Sequence, residues 1–202
     1  EVERDNIVID GVGYTVRQRG GARGILLYHR SNVTIKNIEI KAFSYGIYLC
    51  GSSNNSITGN NLTTNNWYGI RLTMSSNYNK IVGNNITENN VGGIWLEASS
   101  NHNIIVGNNI TENQWVGIQL SDSSNNGIVG NNIVNNSHGI SIGDTSDYNS
   151  IVGNNITQNK WLRGIYLYRS SNNSIYHNNF INNTHQAYVS KSMNVWDDDY
   201  PS

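Results

Sequence analysis

The chain has 202 residues and a formal net charge of −1, so bulk charge gives no pull toward nucleic acid or an anionic membrane. Only 13% of residues are charged and 37% are apolar, too few apolar residues for an ordinary compact domain, and no run of 18 apolar residues offers a membrane span. The lone Cys50 excludes an intrachain disulfide.

Residues 1–23 carry Arg4, Arg17, Arg19 and Arg23 around the strand-like NIVI and YTV, and read as an irregular first coil. The chain opens on Glu1 rather than Met and shows no signal peptide, so it reads as a mature or excised piece of a longer protein. From Gly24 a repeat takes over. Copies start at Gly24, Gly46, Gly69, Gly93, Gly117, Gly139 and Gly164, and an eighth start falls at Ala187. Within each copy Ile or Leu recurs in phase: Ile94, Leu96, Ile105 and Ile110 in one copy, Ile118, Leu120, Ile128 and Ile133 in the next. The 37 Asn are locked to that phase, which argues for a repeat fold rather than a disordered polar tract.

Each copy holds three short runs of period-two alternation, Gly-Ile-x-Leu, x-Ile-x-Gly and Asn-Ile-Thr, separated by Ser/Asn/Gly turns. Three strands per repeat of 22–25 residues predict an all-β fold, a parallel β-solenoid. No copy buries its inner face alone, so the coils must stack, about 4.8 Å apart. One domain is expected over residues 1–202, with seven coils over 24–186 and a closing partial coil over 187–202. The pattern GIxLxxSSNNxIxGNNIxxN resembles the right-handed parallel β-helix repeat of the NosD-type and carbohydrate-binding/sugar-hydrolysis family. The opening NIVIDGVGYTV and closing NVWDDDYPS resemble the edges of archaeal cell-surface members. The resemblance implies a right-handed coil and an extracellular or cell-surface location. Copper is associated with some relatives, and the sequence displays no Met/His/Cys cluster on which to carry that over; no metal site is assigned.

Coil one supplies an internal control. Ile38 stands where later copies have Asn60, Asn84, Asn108, Asn131, Asn154 and Asn178. Phe43 stands where they have Asn65, Asn89, Asn113, Asn136, Asn159 and Asn183. Positions that accept Ile or Phe point inward, so both columns are read as internal Asn ladders. The serines at 31, 53, 76, 100, 124, 146 and 171 read as one turn-stabilising hydroxyl stack; with no paired base they form no catalytic triad.

The outward residues of the first strand differ from coil to coil, and function is expected there. Tyr48, Arg71, Trp95, Gln119, Tyr166 and Tyr168 are the candidate glycan-binding residues, because flat aromatics beside polar groups suit a sugar ring. Glu97, Asp122 and Asp144 fall on three successive coils near the strand end. They are the catalytic candidates, since paired carboxylates can cleave a glycosidic bond, and the same oxygens could hold Ca²⁺. On the second strand Val82, Val106, Val129 and Val152 form an exposed apolar stripe. The third shows a flat array of Asn and Thr that could match a polysaccharide or ice lattice. Of nine Asn-x-Ser/Thr sequons, Asn54 and Asn172 lie in turns and are the glycosylation candidates. Arg-rich and Asp-rich ends, the latter at Asp197–Asp199, suggest end-to-end self-association. The leading reading is a non-enzymatic surface scaffold or adhesion-type domain that engages polysaccharide or another surface protein. The alternatives are a polysaccharide-active enzyme of the same fold and a lattice or ice binder.

Overall fold

The computed structural model describes residues 1–18, 21–159 and 161–196. Among the described residues, twenty-four strands fill three parallel sheets of eight strands each. The Gly93 coil shows the plan: strand Gly92–Glu97 enters the first sheet, Ile104–Val106 the second and Asn109–Thr111 the third. The next coil lies in register, with Ile94 on Ile118, Ile105 on Ile128 and Ile110 on Ile133. Every one of these side chains is fully buried. Each contributes on the order of 1.5–3 kcal/mol by leaving water, and only because a neighbour coil covers it. Among the described residues no helix is long and apolar enough to cross a membrane.

Most turns share one rule. A residue with positive φ turns the chain, and the residue after it, usually Asn, points inward. At the second corner the turning residue is the Gly of the repeated GNN, with φ from 60° to 64° at Gly59, Gly83, Gly107, Gly130 and Gly153, a region glycine enters freely. Asn37 (φ 54°) and His177 (φ 55°) take the same role in the first and last copies. The Asn side chain then satisfies backbone that a turn would strand. Asn131 Oδ1 accepts from both the backbone N–H and Nδ2 of Asn108, each at 2.9 Å, while Asn108 Nδ2 also donates to Ile81 O at 2.9 Å. Both predicted ladders are inside, ending on Ile38 N–H and Phe43 N–H. A third ladder went unread in the sequence: Asn55, Asn79, Asn103, Asn126, Asn149, Asn173 and Asn194, ending on Val33 N–H.

The first corner also corrects the serine reading. It gains one residue in three coils, where Met74–Ser75, Ala98–Ser99 and Asp144–Thr145 supply two consecutive positive-φ residues instead of the single one at Gly51 or Asp122. A count from the starting Gly therefore mixes two columns. The buried serines of this corner are Ser52, Ser76, Ser100, Ser123, Ser146 and Ser170. Ser31, Ser53, Ser124 and Ser171 sit one place further on and are half-buried. The inner stack is real in part: Ser52 N–H donates to Ser76 Oγ at 3.1 Å, and Ser146 N–H to Ser170 Oγ at 3.2 Å.

At the ends, Val8–Asp10 and Thr15–Arg17 are regular strands on the second and third sheets, and Val2 bridges Leu27. The last first-sheet strand is His185–Ser190, with Ala187 on Ile165, so Gln186 rather than Ala187 holds the starting-Gly position. Arg19 and the Asp197–Asp199 run lie outside the described residues.

Candidate functional site

The outer face of the first sheet is a packed layer of aromatics and arginines, not a row of free side chains. Register stacks Tyr48, Arg71, Trp95, Gln119, Ser141, Tyr166 and Tyr188 on consecutive coils. A neighbouring column runs Tyr45, Tyr68, Gly92, Val116, His138 and Arg163. The sequence reading missed that second column. Its signal was the bulky residue just before most of the starting glycines. Tyr45, Tyr48, Cys50, Tyr68 and Val116 are buried together as a second apolar cluster, outside the main core.

Two groups form on this face. In the first, the Arg71 guanidinium lies 4.4 Å from the Trp95 ring centre and 5.0 Å from that of Tyr45. It donates through Nε to Glu97 Oε1 at 2.8 Å, and through its terminal nitrogens to Glu97 and to the Tyr45 hydroxyl. Burial works against the Arg71 charge, but the hydrogen bonds and proximity of Glu97 outweigh it and hold the guanidinium above its ordinary range. Tyr68 lies against Trp95 and donates to Gln119 Oε1 at 2.6 Å, two coils away. Its phenol is pushed up by burial and by Tyr45.

In the second group, Tyr166 stacks on Tyr188 at 5.5 Å and runs parallel to Tyr168 at 6.3 Å. Arg163 lies 4.4 Å from the Tyr188 ring centre and 4.9 Å from Tyr166. Arg169 covers Tyr168. Beside them His138 is buried, with no hydrogen-bond partner at Nδ1. Burial first, then Arg163, lowers its pKa from 6.5 to about 4, so it is neutral at neutral pH.

Between the groups the side chains shrink. Ser141 separates Gln119 from Tyr166, and Gly143 separates Ser121 from Tyr168. A Cβ on Gly143 would meet nothing closer than Tyr168 O at 3.7 Å, so the space above it is open. The result is a saddle with Trp95 and Gln119 on one shoulder and Tyr166 and Tyr168 on the other. Its floor is small and polar. Asp122 and Asp144 stand at its rim, exposed on adjacent coils and joined by Asp122 N–H to Asp144 O at 3.0 Å.

Of the sequence candidates, the fold thus gathers Arg71, Trp95, Glu97 and Gln119 in one group and Tyr166 and Tyr168 in the other. Tyr48 is buried rather than presented. Glu97 is engaged by Arg71, which sets it apart from the exposed Asp122 and Asp144. Among the described residues no three His, Cys, Asp or Glu side chains gather where a metal ion could be held. Cys50 Sγ lies 3.4 Å from Met74 Sδ, one coil away.

The corner leading into the first sheet adds residues the sequence reading passed over. Trp67 and Trp115 occupy the same corner position two coils apart, linked through Val91 by backbone hydrogen bonds, and are half exposed. Trp161, 82% exposed, overhangs a notch of about 460 Å³ lined by Glu112, Gln114, Asn135 and Ser137. The remaining faces are quieter. Asn85, Asn109, Asn132 and Asn155 form an outer ladder in which each Nδ2 donates to the preceding Oδ1 at 2.8 Å, so their sequons lie in a bonded array. Asn54 and Asn172 are exposed turn residues. The Val stripe is half-buried except Val129.

Residues 5–202 match the family model described as Periplasmic copper-binding protein (NosD). No curated protein sequence matches the chain. Among solved structures, a periplasmic alginate epimerase (AlgG) superposes with TM-score 0.75 at 21% identity, over 86% of this chain and 46% of its own. A mannuronan C-5 epimerase A-module from Azotobacter vinelandii gives TM-score 0.63 at 15% identity, over 83% and 60%. A pectate lyase gives 0.67 at 15%, over 84% and 55%. At these identities the likeness is one of fold. The chain spans about half the length of the alginate epimerase.

Proposed function

The chain belongs to the NosD family, and from that premise we propose that it is an exported β-helix scaffold that binds a polysaccharide across the outer face of its first sheet. The carrying observation is the saddle over Ser141 and Gly143. It offers a polar floor one coil wide, with the flanking strands of Gln119 and Tyr166 roughly 10 Å apart. A sugar ring needs that combination: a flat apolar face to stack on and hydroxyls or carboxylates to bond its edge. Asp122 and Asp144 supply the edge. The polysaccharide-active neighbours share the fold and support the class of ligand, and the family's periplasmic description supports export. Affinity electrophoresis against a panel of neutral and uronic-acid polysaccharides tests this. Retardation of the wild type should be lost both in Tyr166→Ala, which removes a shoulder, and in Ser141→Tyr, which fills the saddle. Equal retardation of all three proteins defeats the reading. Release of new reducing or unsaturated ends, abolished by Asp122→Asn, would move the protein to the enzymes.

A second reading is favoured by a separate observation. The family is described as copper-binding, and the one thiol of this chain touches a thioether. Thiolate and thioether sulfur are soft ligands that suit Cu(I). The second role is to hold copper in the same exported scaffold.

A further inference from the structure

The first corner is built differently in three successive coils, and the differences converge. His29, Gly51 and Met74 occupy the turn just beyond the first-sheet strand on those coils, each with positive φ. Backbone bonds stack them: His29 N–H donates to Cys50 O at 2.9 Å, and Gly51 N–H to Thr73 O at 3.1 Å. Gly51 has no side chain, and the His29 ring leans into the vacated space. A Cβ on Gly51 would lie 2.7 Å from both His29 Nδ1 and Cε1. From the other side Met74 reaches back, placing Sδ 3.4 Å from the Cys50 sulfur. Cys50 is buried, whereas Met74 is 62% exposed, so the thiol lies beside an unbranched thioether that reaches solvent.

We propose that Cys50, Met74 and His29 hold one soft monovalent metal ion, Cu(I), at this corner. The proposal rests on the copper reading above and gives it a location. Thiolate, thioether and imidazole are the donors that soft metals select, and hard ions such as Ca²⁺ or Mg²⁺ are poorly served by them. The balance is simple. The Cys50 S–H bond breaks, its proton leaves to solvent, and an S–Cu bond forms; no electron is transferred. One positive charge enters as one leaves. Net charge beside Arg23 and Arg71, whose fields reach Cys50, is unchanged. Gly51, lacking a Cβ, is what leaves room for the imidazole at this corner.

The test is anaerobic titration of the reduced protein with Cu(I) against a chromophoric Cu(I) chelator, paired with the rate of Cys50 alkylation by iodoacetamide. One Cu(I) per chain is expected, with alkylation suppressed on loading. Cys50→Ser should weaken binding at least about ten-fold, and Met74→Leu and His29→Gln should each weaken it several-fold. Met74 and His29 are exposed, so those two variants keep the fold. Zn²⁺ should protect Cys50 far less than Cu(I) or Ag(I). Wild-type binding that all three variants retain would overturn this site while leaving the copper reading standing. Failure of the wild type to bind Cu(I) would overturn both.

Discussion

Asn108 is held by bonds that belong to its neighbours as much as to itself. Its Oδ1 accepts the backbone N–H and the Nδ2 of Asn84, both at 2.9 Å. Removing it strands two buried donors, so Asn108→Ala should cost about 1–3 kcal/mol, read as a lowered melting temperature. Asn108→Val fills the space but restores no acceptor, and should cost nearly as much. Asn60 differs, since below it only Ile38 N–H needs an acceptor. Asn60→Val should therefore cost less than Asn108→Val. Equal losses would mean that volume, not hydrogen bonding, sets the ladder's worth. His138 carries a second prediction at this scale. Its folded pKa, about 4, lies below the value near 6.5 of the unfolded chain. Between those values the unfolded state binds more protons, so stability rises with pH across that window and falls as pH drops from 6.5 toward 4. Val116 fills the same column one coil earlier, so His138→Val is sterically reasonable and should flatten the pH dependence of the melting temperature over that range.

At the scale of the strand and its corner, the face of the first sheet behaves as a second core. Glu97→Gln should leave Arg71 half-buried without its counter-charge and lower stability by about 1–2 kcal/mol, while any binding at Tyr166 persists. Loss of binding with no loss of stability would instead make Glu97 a ligand contact. The same face explains what could be read from sequence. The Ile columns were legible because a period of two inside a period near 23 leaves little choice of face. Two ladders were legible because Ile38 and Phe43 broke them. The third was broken by Val33 in the same way, but the first corner changes length by one residue between coils, so counting from the glycine slid past it. The pairing of Arg71 with Glu97 and the approach of Met74 to Cys50 were illegible for another reason. Each joins residues on adjacent coils in columns offset by one or two positions, and only the stacking of coils and the reach of long side chains bring them together.

For the whole rod, the question is which of three faces a partner meets. Eight strands per sheet at about 4.8 Å give a surface roughly 35 Å long on each side. On the third sheet the outer amides donate and accept along the ladder, each spending one of its two N–H donors on its neighbour. The second sheet is a mild apolar stripe. The first sheet combines aromatic area, cations and open relief, and it continues round the corner through Tyr45 against Trp67 and His138 against Trp115. A flexible polymer crossing the saddle would leave by that corner, where Trp115 and Trp161 stand two coils apart. Trp161→Ala should therefore weaken retention of a long polysaccharide more than that of a short oligosaccharide confined to the saddle. Thr111→Val on the third sheet should change neither. Because Trp161 is exposed and outside both cores, its loss should change stability by no more than about 0.5 kcal/mol, read as a nearly unchanged melting temperature. If Thr111→Val weakened retention and Trp161→Ala did not, the polymer would lie on the amide face, and the saddle would be only a seam in the second core.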